Sequence, residues 1–139
     1  MRAAADAPTA GAGSGARAAR RAVVARWEDI PDESVREGVL RRGFGNDGAL
    51  LVMNELTPGM KLFPHVHEEF DQIAYIVSGT AVYHVDGVGH EVGPGSLILI
   101  PAGQPHHIEP TGSEKVLNLD VFGPARKDLS HLLDWMRGR

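Results

Sequence analysis

From Trp27 onward, apolar residues recur in short runs that alternate with polar ones and are broken by Gly, Pro and Asp. A period of two over such lengths marks half-buried strands. The pattern predicts nine of them: 39–44, 49–56, 61–67, 72–77, 80–85, 89–92, 96–100, 105–109 and 115–122. Asp47-Gly48 and Asp86-Gly87 suit tight hairpin turns that need positive φ, and Thr57-Pro58-Gly59 and Gly93-Pro94-Gly95 suit wider ones. The period changes only after Gly123-Pro124, where Leu129, Leu132, Leu133 and Met136 follow at helical spacings. This predicts an all-β domain closed by a short C-terminal amphipathic α-helix that packs over exposed sheet.

Composition narrows the picture. With 139 residues, 42% hydrophobic and 23% charged, the chain has room for one ordinary globular domain. There is no cysteine, so disulfides, thiolate metal sites and thiol nucleophiles are excluded, and any metal must sit on nitrogen and oxygen. The net charge of −4 is uneven: residues 1–26 carry five arginines against Asp6 alone, a charge of +4, which leaves −8 on residues 27–139. An acidic body is a poor nucleic-acid surface, and no apolar run is long enough to span a bilayer. Residues 1–26, with Ala-Gly-Ala-Gly-Ser-Gly at 10–15, lack periodicity and aromatic anchors and read as a disordered tail, residues 27–139 being the folded domain. The tail has no continuous apolar core of the secretory type, so a cytoplasmic protein is expected.

Candidate chemistry gathers on the histidines. In Pro64-His65-Val66-His67, alternation on a strand would turn both imidazoles to one face, half of a site for Zn, Fe, Ni or Mn. Glu68-Glu69-Phe70-Asp71-Gln72 brings oxygen ligands back beside them, and His106 follows the rigid Pro101-Ala102-Gly103-Gln104-Pro105.

These residues resemble two motifs of the cupin superfamily. Gly59, His65, His67, Gln72 and Gly79 match G(X)5HXH(X)3-4E(X)6G, with Gln72 where the family usually has Glu. Gly95, Pro101, Gly103 and His106 match G(X)5PXG(X)2H(X)3N, with Pro110 in place of the final Asn. Two long motifs in the right order are a specific signal. The resemblance spans roughly residues 50–122 and implies a double-stranded β-helix, the jelly-roll barrel of a small single-domain cupin. It also implies one divalent metal ion on His65, His67, Gln72 and His106, and a homodimer. Asp71 is the rival fourth ligand, but it stands one residue out of step with Gly79. The glycines are assigned to turns.

An amide at position 72 adds no negative charge, so the ion would remain a stronger Lewis acid than with glutamate. If Gln72 faces inward, Ala74 and Ile76 share its face, and Phe63 shares that of His65 and His67, so these three are pocket candidates. Glu69 and Asp71 are candidate general bases at the mouth, and Asn118 and Asp120 form a polar face that lines the cavity or meets solvent. His84, His90, His107 and His131 read as surface residues. The leading functional expectation is a metal-dependent enzyme acting on an oxygenated small molecule (enol, ketone or hydroxy acid) by isomerisation, cyclisation or elimination. The alternatives are a non-haem metal dioxygenase and a non-catalytic sugar-binding or small-acid-binding cupin.

Overall fold

The computed structural model describes residues 21–137; most of the expected N-terminal tail lies outside them. Among the described residues nine strands form: β1 (Glu33–Arg36), β2 (Val39–Gly45), β3 (Leu50–Leu56), β4 (Gln72–Ser78), β5 (Ala81–Val85), β6 (Val88–Val92), β7 (Leu97–Ile100), β8 (His106–Pro110) and β9 (Val116–Phe122). They make two antiparallel sheets, one ordered β1-β2-β3-β9-β4-β7 and the other β6-β5-β8. Val39, Leu56, Ala74, Ile76, Ile100 and Val116 of the first sheet pack on Ala81, Tyr83 and Val85 of the second. This is the jelly-roll arrangement the motifs imply, with the core between the two inner faces.

Alternation fixes which residues reach that core. Along β4, Gln72, Ala74 and Ile76 are buried while Ile73, Tyr75 and Val77 are exposed. On β7, paired with it, Leu97 and Leu99 are 71% and 60% exposed, so the outer face of β4 and β7 is a row of uncovered apolar side chains.

The turns follow their chemistry with one exception. Asp86 and Gly87 both have positive φ, 49° and 83°, in the two-residue connection between β5 and β6. Between β2 and β3, by contrast, Gly48 has no positive φ; the Asn46 side chain accepts bonds from the Gly48 and Ala49 amides and shapes the turn instead.

Two expected elements differ and one unexpected strand forms. Residues 61–67 form no strand: Pro64 has no N–H to give a ladder, and the segment pairs only through a single bridge between His65 and His106. The short strand β1 was not expected, because its sequence Glu-Ser-Val-Arg is mostly polar and it lies at the sheet edge. The C-terminal element is a 3₁₀ helix over Lys127–Met136, closed by i→i+3 bonds such as Leu129 N–H to Arg126 O, and not an α-helix. It does the expected packing. Leu129, Leu132 and Leu133 bury against Leu50, Val52 and Phe122, Leu132 sits so close to Gly43 that a Cβ there would lie 2.6 Å from its own, and the Trp135 indole donates to the Gly43 carbonyl. Among the described residues, no helix is long and apolar enough to cross a membrane.

Candidate metal centre

His65 and His67 lie on the connection from β3 to β4, and His106 opens β8 in the opposite sheet. The bridge brings the first to the third: His65 N–H donates to His106 O at 3.0 Å and His106 N–H to His65 O at 2.8 Å. The imidazole centroids are then 4.3 to 5.1 Å apart, and the ligand atoms of the three residues all lie within 4.8 Å of one another. Convergence therefore comes from a loop held to a strand, not from strand alternation across residues 61–67.

Backbone carbonyls set the rings. His65 Nδ1 lies 2.8 Å from Phe63 O and His106 Nδ1 3.0 Å from Gln104 O. A carbonyl can only accept, so both Nδ1 atoms carry a proton, and Nε2 is the atom each ring turns to a ligand. Burial, outweighing the Phe63 carbonyl bond, holds the His65 imidazole below its usual range. Burial, with Arg126 and the two other imidazoles adding positive charge, pushes His67 down to about 4. Both rings are neutral at pH 7, the form that binds metal.

Gln72 begins β4, opposite Ile100 at the end of β7. Its Nε2 donates to Asp120 Oδ1 at 2.8 Å. An amide oxygen facing a carboxylate would be repelled, so this bond turns Oε1 away from Asp120. Gln72 Oε1 and His106 Nε2 are the two buried side-chain atoms that lack a hydrogen-bond partner among the described residues. Buried polar atoms are rarely left unpaired. Gln72 lines the same cavity as the three clustered imidazoles, and a donor set of three imidazoles and one amide oxygen fits a divalent cation.

Behind Gln72 lies a polar network that extends the expected polar face of β9. Asp120 also accepts from Asn118 Nδ2 at 2.9 Å and from Asn54 Nδ2 at 2.9 Å, and the buried Tyr83 hydroxyl donates to Asn118 Oδ1 at 2.8 Å. Burial pushes the Asp120 carboxyl up to about 6, against the three amide donors that favour its charged form. Asn54 and Tyr83 were not singled out in the sequence. The available signals were an Asn interrupting the apolar run of β3 and a Tyr in phase with Ala81 and Val85.

All five network residues, the three histidines and Phe63 border one cavity of about 370 Å³. Phe63 stands at its rim, 56% exposed and stacked on His65. Ala74 and Ile76 face inward as expected but do not line the cavity; they are fully buried in the core beside it. Glu69 is exposed and away from the cavity. Asp71 is away from it too, because its carboxylate accepts from the Ala102 amide at 2.9 Å and ties the histidine loop to the 101–105 turn. His107 borders the cavity while stacking on His84, centroids 4.5 Å apart. Three cations not foreseen as cavity residues, Arg36, Arg41 and Arg126, complete the wall.

Similarity to known proteins points to the same fold. The family model described as Cupin domain matches residues 52–122, just over half of the chain. The oxalate-binding protein of Thermotoga maritima is 32% identical over 77 residues, covering 55% of this chain and 64% of that protein. The pectin degradation protein KdgF of Dickeya dadantii is 26% identical over 102 residues, covering 73% of this chain and 92% of its own length. Among solved structures, the polyketide cyclase RemF from Streptomyces resistomycificus is similar with a TM-score of 0.64 and 27% identity, over 76% of this chain and 81% of that one.

Proposed function

The chain belongs to the cupin family, and from that premise we propose that it is a metal-dependent enzyme acting on an oxygenated small molecule, an enol, ketone or hydroxy acid. His65, His67, His106 and Gln72 are the residues that would hold one divalent ion, Fe, Ni, Zn or Mn. The observation that carries this reading is the pair of buried, unpartnered donors, Gln72 Oε1 and His106 Nε2. A bound ion there supplies Lewis acidity toward a carbonyl or enolate oxygen, which suits isomerisation, cyclisation or elimination without redox change. The relatives named for pectin degradation and polyketide cyclisation support the same class.

The protein's own groups prepare the site. Asp120 orients the Gln72 amide, Asn54 and Asn118 fix Asp120, and Tyr83 fixes Asn118. Negative charge is thereby kept one hydrogen bond behind the fourth ligand position, where glutamate would have put it on the ion. Val52 and Phe122 give the cavity apolar walls, with Phe63 at its rim.

Elemental analysis of the purified chain beside His106→Ala tests the reading. About one ion per chain, lost in the variant, is expected; no binding of Fe, Ni, Zn or Mn by the wild type would overturn it. Zinc-loaded protein should then turn over a member of a panel of enols, ketones and hydroxy acids with no oxygen consumed. The similarity to a protein named for binding oxalate supports a second reading, retention of a small acid without chemistry. In that case calorimetry would record binding of such an acid with no product. A homodimer in the cytoplasm completes the proposal, a second copy covering the exposed outer face of β4 and β7, where Ile73, Tyr75, Val77, Leu97 and Leu99 leave an apolar surface that a solitary domain rarely shows.

A further inference from the structure

Three arginines border the cavity, and two of them have carboxylate partners. Arg41 Nε lies 2.6 Å from Glu33 Oε2, and Arg126 grips Asp128 through Nε at 3.2 Å and Nη2 at 2.6 Å. Arg36, the last residue of β1, differs. Its Nε donates to the Lys61 carbonyl at 3.3 Å and its guanidinium lies over the Phe63 ring, 5.2 Å from the centroid, while no carboxylate among the described residues comes within ion-pair distance. Arg36 is partly buried at the cavity rim, so its guanidinium gives up some water and meets no group of opposite sign among the described residues in return. Partial burial and the nearby positive charge of Arg41 both work against its charged form.

The position of Arg36 relative to the metal centre matters as much as its freedom. Phe63 touches both: the guanidinium on its ring, and the His65 imidazole stacked with it at 5.8 Å and 23°. The Nε bond and the ring fix the plane of the guanidinium and leave its two Nη nitrogens, four N–H donors in a flat fork, without a hydrogen-bond partner among the described residues. Such a fork matches the two oxygens of a carboxylate.

We infer that Arg36 is a specificity-determining residue that pairs with a carboxylate of the substrate, one separate from the oxygen function directed at the histidines. This rests on the proposed metal-dependent reading and narrows it: the substrate is an organic acid with an additional enol, ketone or hydroxyl group, entering with that group toward His65, His67 and His106 and its carboxylate held at the rim beside Phe63. A neutral substrate would leave Arg36 without a partner.

The test uses the zinc-loaded full chain and two matched pairs of probes, levulinate and 5-oxohexanoate against their methyl esters, with binding read by calorimetry and zinc measured on the same samples. The wild type is expected to bind at least one acid about tenfold or more tighter than its ester, the size of effect that a charge-assisted pair gives. In Arg36→Gln the ratio of acid to ester affinity should fall to about one, and Arg36→Lys should restore part of the preference, since lysine keeps the charge but not the fork. A wild type without acid preference, or with no binding of any probe to the limit of solubility, overturns the inference, as does a preference that survives in Arg36→Gln. Zinc content separates the two claims. One zinc per chain with no acid preference removes only the role of Arg36, and a preference that needs Arg36 in protein that binds no zinc removes only the metal.

Discussion

Gln72→Glu would place a second carboxylate where an amide nitrogen now donates to Asp120 at 2.8 Å. Two unit charges at that separation repel by about 6 kcal/mol at an effective dielectric constant of roughly 20, equivalent to about 4 pK units. In metal-free protein the pair would therefore keep one proton through neutral pH, whereas in the unfolded chain both acids are ionised. A carboxyl whose pKa is raised by folding contributes stability that is present below its unfolded pKa and lost as pH rises to the folded one. In the wild type Asp120, pushed up to about 6, contributes such a fall between about pH 4 and pH 6, which His67, pushed down to about 4, opposes over the same range because its neutral ring is favoured by folding. In Gln72→Glu the fall continues above pH 6 at up to about 1.4 kcal/mol per pH unit, so the variant loses roughly 2–3 kcal/mol more than wild type by pH 8. Urea unfolding of chelator-treated wild type and variant at pH 5, 6, 7 and 8 measures this directly. Curves that stay parallel from pH 6 to pH 8 would refute the contact between positions 72 and 120. The double variant Gln72→Glu with Asp120→Asn should abolish the extra slope if the reasoning holds.

Tyr83→Phe removes a buried 2.8 Å bond to Asn118 and is expected to cost about 1–3 kcal/mol by urea unfolding, with metal per chain unchanged. Gly59 and Gly79 have nearly the same φ, 88° and 84°, but a Cβ at Gly59 meets nothing within 4 Å, whereas at Gly79 it meets Lys115 O at 2.6 Å. Gly59→Ala should therefore cost only the roughly 1–2 kcal/mol of the left-handed conformation, and Gly79→Ala clearly more, both read from the shift in urea midpoint. Leu97→Lys combined with Leu99→Lys should shift the sedimentation coefficient from that of a dimer to that of a monomer and leave metal content intact; an unchanged coefficient would exclude this face as the contact.

The histidines were legible because ligand spacing survives whatever backbone carries it. His65 and His67 converge on His106 although the expected strand through 61–67 reduces to one bridge. Alternation placed Gln72, Ala74 and Ile76 on the inner face correctly, but it does not say how deep each lies, and so Ala74 and Ile76 were read as pocket when they are core. The network behind Gln72 was half legible. Asn118 and Asp120 stood out as polar positions in an apolar strand, while their partners Asn54 and Tyr83 come from β3 and β5, and only strand register, Asn54 opposite Asn118, brings the first of them near. Arg36 left no signal, since what sets it apart, the absence of a carboxylate partner among the described residues, is a matter of placement in the fold. The C-terminal spacing of three and four suits α and 3₁₀ helices alike over so short a stretch.

The connection from β3 to β4 carries two of the three histidines, yet a small set of hydrogen bonds moors their stretch to the rest of the barrel. His65 exchanges two backbone bonds with His106, His67 O accepts from the Gly103 amide at 2.7 Å, and Asp71 holds Ala102. Segments fastened this lightly open without global unfolding. Amide exchange at His65, Gly103 and His106 should therefore run faster than at Ala74 or Ile76 in the adjacent strand and slow together when a ligand grips the imidazoles. Those three protons form an exchange clock for occupancy of the site, readable without knowing what the protein acts upon.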